Sequence, residues 1–146
     1  KAVEADAADV AVQVCEADVL DIEIENASLV VLNFTLQFIP VEKRLMLLQK
    51  ICAGLNPGGK LLLSEKVVFP DAYLNELNID LHHRFKKAHG YSDLEVAQKR
   101  NALENSLLPE TVDAHKQRLA EAGFARADVW YQCFNFVSLI AVKAES

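Results

Sequence analysis

Residues 28–38, "SLVVLNFTLQF", open with four apolar positions in a row, and Leu29, Val30, Val31 and Leu32 read as a strand buried on both faces. Before them, "VAVQVCEAD" reads as a shorter strand ending at Asp18, and "DIEIENA" as a polar turn region. The period then changes. In "PVEKRLMLLQKICAGL", Leu45, Leu48, Cys52 and Leu55 recur at helical spacing, so an amphipathic helix is expected, with Pro40 in its first turn and Gly54 at its end. "NPGG" follows as a tight turn whose glycines supply φ > 0, and "KLLLSEKVVF" as a third strand. Strand, helix and strand with short joints make a βαβ unit, and three such strands imply an α/β layer structure.

From Asp71 to Glu121 the helical period takes over, and Leu74, Leu77, Leu81 and Phe85 share one face of the first segment. Ser92 and Glu95 form a capping box that opens a helix through about Leu107. "TVDAHKQRLAEAGF" is a further helix, stopped by Gly123. "DVWYQCF" and "FVSLIAVKA" are two strands joined through Asn135, most simply as a hairpin. The expectation is one partial domain over residues 1–146, with a helical insertion at about 71–122 and a mainly parallel sheet whose last strand is antiparallel. There are no repeats, no low-complexity segments and no linker. The chain opens on Lys1 in polar sequence rather than on a start methionine, the pattern of a fragment.

A length of 146 residues with 51% hydrophobic content suits one compact core. The net charge of −6 comes from interspersed acids and bases, which argues against a dedicated nucleic-acid-binding domain. No apolar run approaches the roughly 20 residues of a membrane span, and there is no signal peptide. Cys15, Cys52 and Cys133 are odd in number and set in apolar sequence, as buried reduced thiols would be. His82, His83, His89 and His115 have no cysteine companions and no HExxH spacing, and the adjacent pair would point about 100° apart on a helix. No metal site is expected. "GGK" lacks a following Ser or Thr, so it is no P-loop, and no Gly-x-Ser-x-Gly elbow exists.

In an open parallel sheet, ligands bind outside the carboxyl ends of the strands. Asp18 and Asn33 fall there, after the first and second strands. An amide buried without partners costs a few kcal/mol, so Asn33 in an apolar strand needs a reason. Either Asp18 caps a turn and Asn33 satisfies neighbouring backbone, or the acid accepts from an amine or ribose hydroxyl while the amide both donates and accepts. Arg100, with Glu104 four residues on, is either a solvated helix pair or a guanidinium fork for a carboxylate.

"IENASLVVLNFTLQF", "GLNPGG", "LSEK", "GYSDLEVAQKR", "HKQRLAEAGF" and "QCFNF" together resemble the carboxy-S-adenosylmethionine synthase family, within the Rossmann-like class I S-adenosylmethionine-dependent methyltransferase fold. The resemblance runs from about Cys15 to Glu145. It implies a bacterial, cytoplasmic transferase that converts S-adenosylmethionine and prephenate to carboxy-S-adenosylmethionine and phenylpyruvate, for modification of the tRNA wobble uridine (cmo5U). It also implies a homodimer with no direct nucleic-acid or membrane contact. On this likeness Asp18 and Val19 correspond to residues at the adenine, Asn33 to one near the methionine portion and sulfonium, and Arg100 to the arginine that pairs with the transferred carboxylate. No residue is assigned a catalytic step. The glycine-rich loop and ribose-binding acid with which the family begins are absent from this sequence, and its five glycines read as turns and helix ends. The chain alone is therefore expected to hold an incomplete site and unpaired strand edges. An ordinary methyltransferase using the same cofactor is the nearer alternative, which Arg100 discriminates, and a non-catalytic α/β half-domain is the more distant one.

Overall fold

A computed structural model describes residues 11–92, 94–95 and 106–145 of the chain. Strands β1 (Ala27–Asn33), β2 (Leu55–Lys66), β3 (Phe124–Cys133) and β4 (Phe136–Lys143) form one sheet in the order β1-β2-β4-β3. β1 pairs parallel to β2, and β4 pairs antiparallel to both β2 and β3. Three strands thus run one way and the last strand opposes them, as expected from the sequence. Helix α1 (Val41–Gly54) joins the parallel pair, and α2 (Ala72–Ala88) and α3 (Val112–Glu121) lie between β2 and β3 in the chain.

The core sits between one face of the sheet and the two helices α1 and α3. α1 contributes Leu47, Leu48, Ile51 and Cys52, and α3 contributes Leu119. The sheet answers with Leu61 and Leu63 of β2 and Val137, Leu139 and Ala141 of β4, the alternate residues of each strand. Each fully buried leucine contributes roughly 1.5–3 kcal/mol of transfer free energy.

Several expectations are corrected. Residues 11–17 form no strand: Val12 and Val14 are 62% and 79% exposed, because a strand forms only against a partner edge and none pairs with this segment among the described residues. β1 is not buried on both faces. It is an edge strand whose Leu32 and Val30 turn to the core while Leu29 and Val31 are more than half exposed. "NPGG" is not a separate turn between helix and strand, since β2 begins at Leu55, directly after α1. The pairing jumps from Leu55 opposite Ala27 to Lys60 opposite Leu29, so residues 56–59 bulge out of the ladder. Gly58 there has φ 70° and donates its N–H to the Ala144 carbonyl at 3.1 Å. Gly54 matters for another reason: a Cβ would lie 2.0 Å from the Ile24 carbonyl oxygen, so the segment before β1 crosses the helix end at a distance that admits only glycine. Pro40 is the N-cap of α1 rather than a first-turn residue.

Cys52 is buried, but Cys133 is half-buried and Cys15 is exposed, since none of the described residues covers the segment that carries it; all three are free thiols. α2 is capped by Asp71, whose side chain accepts from the Leu74 amide at 2.8 Å. The face formed by Leu74, Leu77, Leu81 and Phe85 is exposed, and no residue of α2 is buried. The capping box is present: Glu95 accepts from the Ser92 amide at 2.8 Å, and Ser92 Oγ accepts from the Glu95 amide at 3.3 Å. The body of the helix expected there, with Arg100, lies outside the described residues. Gly123, at φ 100°, ends α3 as expected.

Candidate functional site at the carboxyl edge of the sheet

Because β4 is antiparallel, its first residues share an edge with the carboxyl ends of β1 and β2: Phe136 lies opposite Lys66, and Ser64 lies opposite both Asn33 and Ser138. Asn33, Ser64 and Ser138 therefore form a polar row across three strands, on the face away from α1 and α3. Ser64 Oγ donates to Ser138 Oγ at 3.0 Å, and the Trp130 indole N–H reaches the same oxygen at 2.7 Å. Asn33 is exposed, so no buried amide has to be explained. It stands at the open end of this row.

Immediately after Asn33 the chain turns sharply. Phe34 has φ 54°, a left-handed conformation that costs a non-glycine residue about 1–3 kcal/mol and persists only where its surroundings hold it. Its N–H donates to the Ser64 carbonyl at 2.8 Å, and the 3-10 turn Leu36–Phe38 follows. The Phe34 ring meets Phe136 edge-on at 5.8 Å, and His82 of α2 lies 4.9 Å from Phe136 and 5.9 Å from Phe134. Phe85 closes the group at 5.5 Å from Phe134. Burial, helped by the charges of Lys86, His83 and Lys66, pulls the His82 imidazole down to about 4, so the ring is neutral at neutral pH. Read from the sequence, His82 was weighed only as a metal ligand. The signal for this aromatic edge was its place three residues before Phe85.

Beneath the edge lies a buried polar network. The Glu65 carboxylate, fully enclosed, accepts from the Leu36 and Gln37 amides at 3.0 Å each, and Gln37 Oε1 accepts from the Lys66 amide at 2.9 Å. Burial pushes the Glu65 carboxyl up to about 7, with the two amides and the Arg44 charge pulling the other way. Arg44, also fully buried, donates to the carbonyls of Ile39 at 2.9 Å, Leu108 at 2.8 Å and Gln37 at 3.3 Å, and to Glu110. Arg118 grips Glu110 as a fork at 2.6 and 2.8 Å. Burial acts to raise the Glu110 carboxyl, but the hydrogen bonds from Arg118 and Arg44 outweigh it and hold the group below its ordinary value. These are the side chains that sequence reasoning missed altogether.

Three of the four residues singled out from the sequence lie among the described residues. Asp18 is exposed and accepts from the Leu20 amide at 2.8 Å through Oδ1, so it caps its own turn. Val19 is half-buried against the core, and Lys50 of α1 ties this turn down by donating to the Leu20 carbonyl at 2.9 Å. Asn33 stands on the open sheet face, and no hydrogen bond joins it to Asp18 among the described residues. Arg100 lies outside the described residues. No group of three or more His, Cys, Asp or Glu side chains fit to hold a metal occurs among the described residues. A surface depression of about 520 Å³, lined in part by Ile24, Lys50, Gly54 and Pro57, lies at the opposite, amino end of β2.

No family model matches the chain. It is 62% identical over 135 residues to a carboxy-S-adenosyl-L-methionine synthase of Vibrio campbellii, covering 92% of this chain and 55% of that protein. Against the synthase of the same name from Photobacterium profundum it is 57% identical over 141 residues, 97% of this chain and 58% of the relative. The chain thus spans about half the length of the curated relatives it matches. Among solved structures, human N-acetylserotonin methyltransferase in complex with SAM superposes with a TM-score of 0.60 at 19% identity, over 89% of this chain and 33% of that one. An O-methyltransferase family 2 protein from Planctomyces limnophilus in complex with apigenin gives a TM-score of 0.59 at 18% identity, over 88% and 33%. At this identity the structural likeness carries the fold alone: an α/β methyltransferase fold with a mixed four-stranded sheet.

Proposed function

We propose that this chain, a relative of the carboxy-S-adenosyl-L-methionine synthases along nearly all its length, is the corresponding portion of such an enzyme. The observation that carries the reading is the 57–62% identity to the synthases of Photobacterium profundum and Vibrio campbellii over at least 92% of the chain. Prephenate loses one carboxylate as carbon dioxide and its ring hydroxyl as hydroxide to leave phenylpyruvate. The hydroxide takes a proton from the sulfonium methyl group to form water, and the resulting ylide carbon bonds to the carbon dioxide. The product serves modification of the tRNA wobble uridine in the bacterial cytoplasm, and the enzyme works as a homodimer.

Four residues carry the proposed binding tasks. Asp18 uses one carboxylate oxygen to cap its turn, which orients the other to accept from the adenine amine. Val19, half-buried beside it, offers the base an apolar surface. Asn33, exposed at the carboxyl edge and aligned with Ser64, can donate and accept toward the amino-acid portion of the ligand. Arg100 holds the transferred carboxylate with a planar fork, which a plain methyl group cannot engage.

The test is titration calorimetry of the protein that carries this chain, with S-adenosylmethionine and with carboxy-S-adenosylmethionine. A charge-assisted pair is worth roughly 1.5–3 kcal/mol, so Arg100→Lys should weaken the carboxylated ligand by about ten- to a hundredfold and S-adenosylmethionine much less. Equal losses for both ligands, or none, would remove Arg100 from the site and favour an ordinary methyltransferase.

A further inference from the structure

The 3-10 turn after Asn33 begins with backbone N–H groups that no helix satisfies, and its N-cap, Thr35, makes no side-chain cap bond. The missing acceptor comes from a neighbouring strand. Glu65 follows Leu61 and Leu63 on the core-facing side of β2, where an apolar residue would continue the pattern. Instead its two carboxylate oxygens take the Leu36 and Gln37 amides one each, at 3.0 Å. An apolar residue here would leave two buried donors orphaned.

The contact is reciprocal. Gln37 Oε1 accepts from the Lys66 amide, so loop and strand are tied in both directions. On the far side Arg44 of α1, the charged group that faces Glu65, takes the carbonyls of Gln37 and Ile39. The segment from Phe34 to Ile39 is thus held between two fully buried, oppositely charged side chains. Phe34 keeps its left-handed backbone within that clamp, next to Asn33 and against Phe136.

We infer that Glu65 is a positioning residue: its carboxylate shapes the Phe34–Phe38 loop and so sets the placement of Asn33 and Phe34 toward the ligand. The inference rests on the reading of this edge as the S-adenosylmethionine site. Two groups of observations test it in the protein that carries this chain. The first needs no variant. The amide resonances of Leu36 and Gln37 should move together as the pH falls through the Glu65 titration near neutrality, and S-adenosylmethionine affinity should fall with the same midpoint. The second uses Glu65→Gln, which replaces one acceptor oxygen by a donor facing an N–H. It should raise the dissociation constant for S-adenosylmethionine about tenfold and abolish that titration of the two amides. Glu65→Asp, with both acceptors kept, should recover part of the affinity. Affinity that stays flat while the two amides titrate, or Glu65→Gln binding S-adenosylmethionine as tightly as the unaltered protein, would overturn the positioning role. Absence of any S-adenosylmethionine binding by the unaltered protein would overturn the site reading itself, and the inference with it.

Discussion

His115 is enclosed on α3 with neither ring nitrogen hydrogen-bonded, and Glu110, Arg118 and Arg44 are the charged groups around it. Desolvation pulls the ring from its ordinary 6.5 down to about 4. Between those values the unfolded chain binds a proton that the folded chain refuses, so this group makes stability rise with pH through the window and fall toward pH 4. Glu65 acts in the opposite sense. Its folded value of about 7 lies above the ordinary 4.5, so its contribution to stability declines as pH rises between them. Thermal melts from pH 4 to 7 should therefore show His115→Leu gaining most over the parent at the acid end and Glu65→Gln, which orphans one buried N–H, losing least at the neutral end. Melting curves that stay parallel to the parent at every pH would contradict both assignments. The pattern held a signal for each residue that was not used. Glu65 continues the alternation of Leu61 and Leu63, and His115 stands four residues before Leu119.

At the scale of the element, α1 was legible almost to its ends because apolar spacing and the Pro and Gly punctuation agree. Arg44 was not legible, since a charged residue in a helix is ordinarily solvated, and here it is fully buried because three carbonyls and Glu110 converge on it from segments far apart in sequence. Removing one member of a buried charge network costs roughly 3–5 kcal/mol. Glu110 keeps its fork from Arg118, so Arg44→Met should fall near 3 kcal/mol on that scale. Chemical denaturation should show this as a lowered midpoint at unchanged slope. A loss well under 1 kcal/mol would mean that the network contributes little beyond its packing. The capping box at Ser92 and Glu95 was readable because all its partners lie within four residues. The strand expected at residues 10–18 failed for the converse reason: local pattern marks the propensity, whereas a strand exists only where another offers its edge.

Across the whole molecule, the α/β class followed from strand, helix and strand, and the hairpin from two strands with a two-residue link. Which member of the hairpin meets β2 could not be read, because both have the alternation of a sheet strand and the choice is made by long-range packing of Val137, Leu139 and Ala141 onto the shared core. That choice brings the start of β4 to the carboxyl edge and completes the polar row of Asn33, Ser64 and Ser138. Asn33 was found for the right position and the wrong environment: it lies at the carboxyl edge, on the exposed face. Among the described residues no helix is long and apolar enough to cross a membrane. The most direct test of the account is mass spectrometry of the protein that carries this chain after incubation with S-adenosylmethionine and prephenate. The account predicts a species heavier than S-adenosylmethionine by the mass of carbon dioxide, a carboxyl group in place of one methyl hydrogen, formed in step with phenylpyruvate. Prephenate left unconsumed while S-adenosylmethionine is bound, or S-adenosylmethionine spent only as a methyl donor, would contradict it.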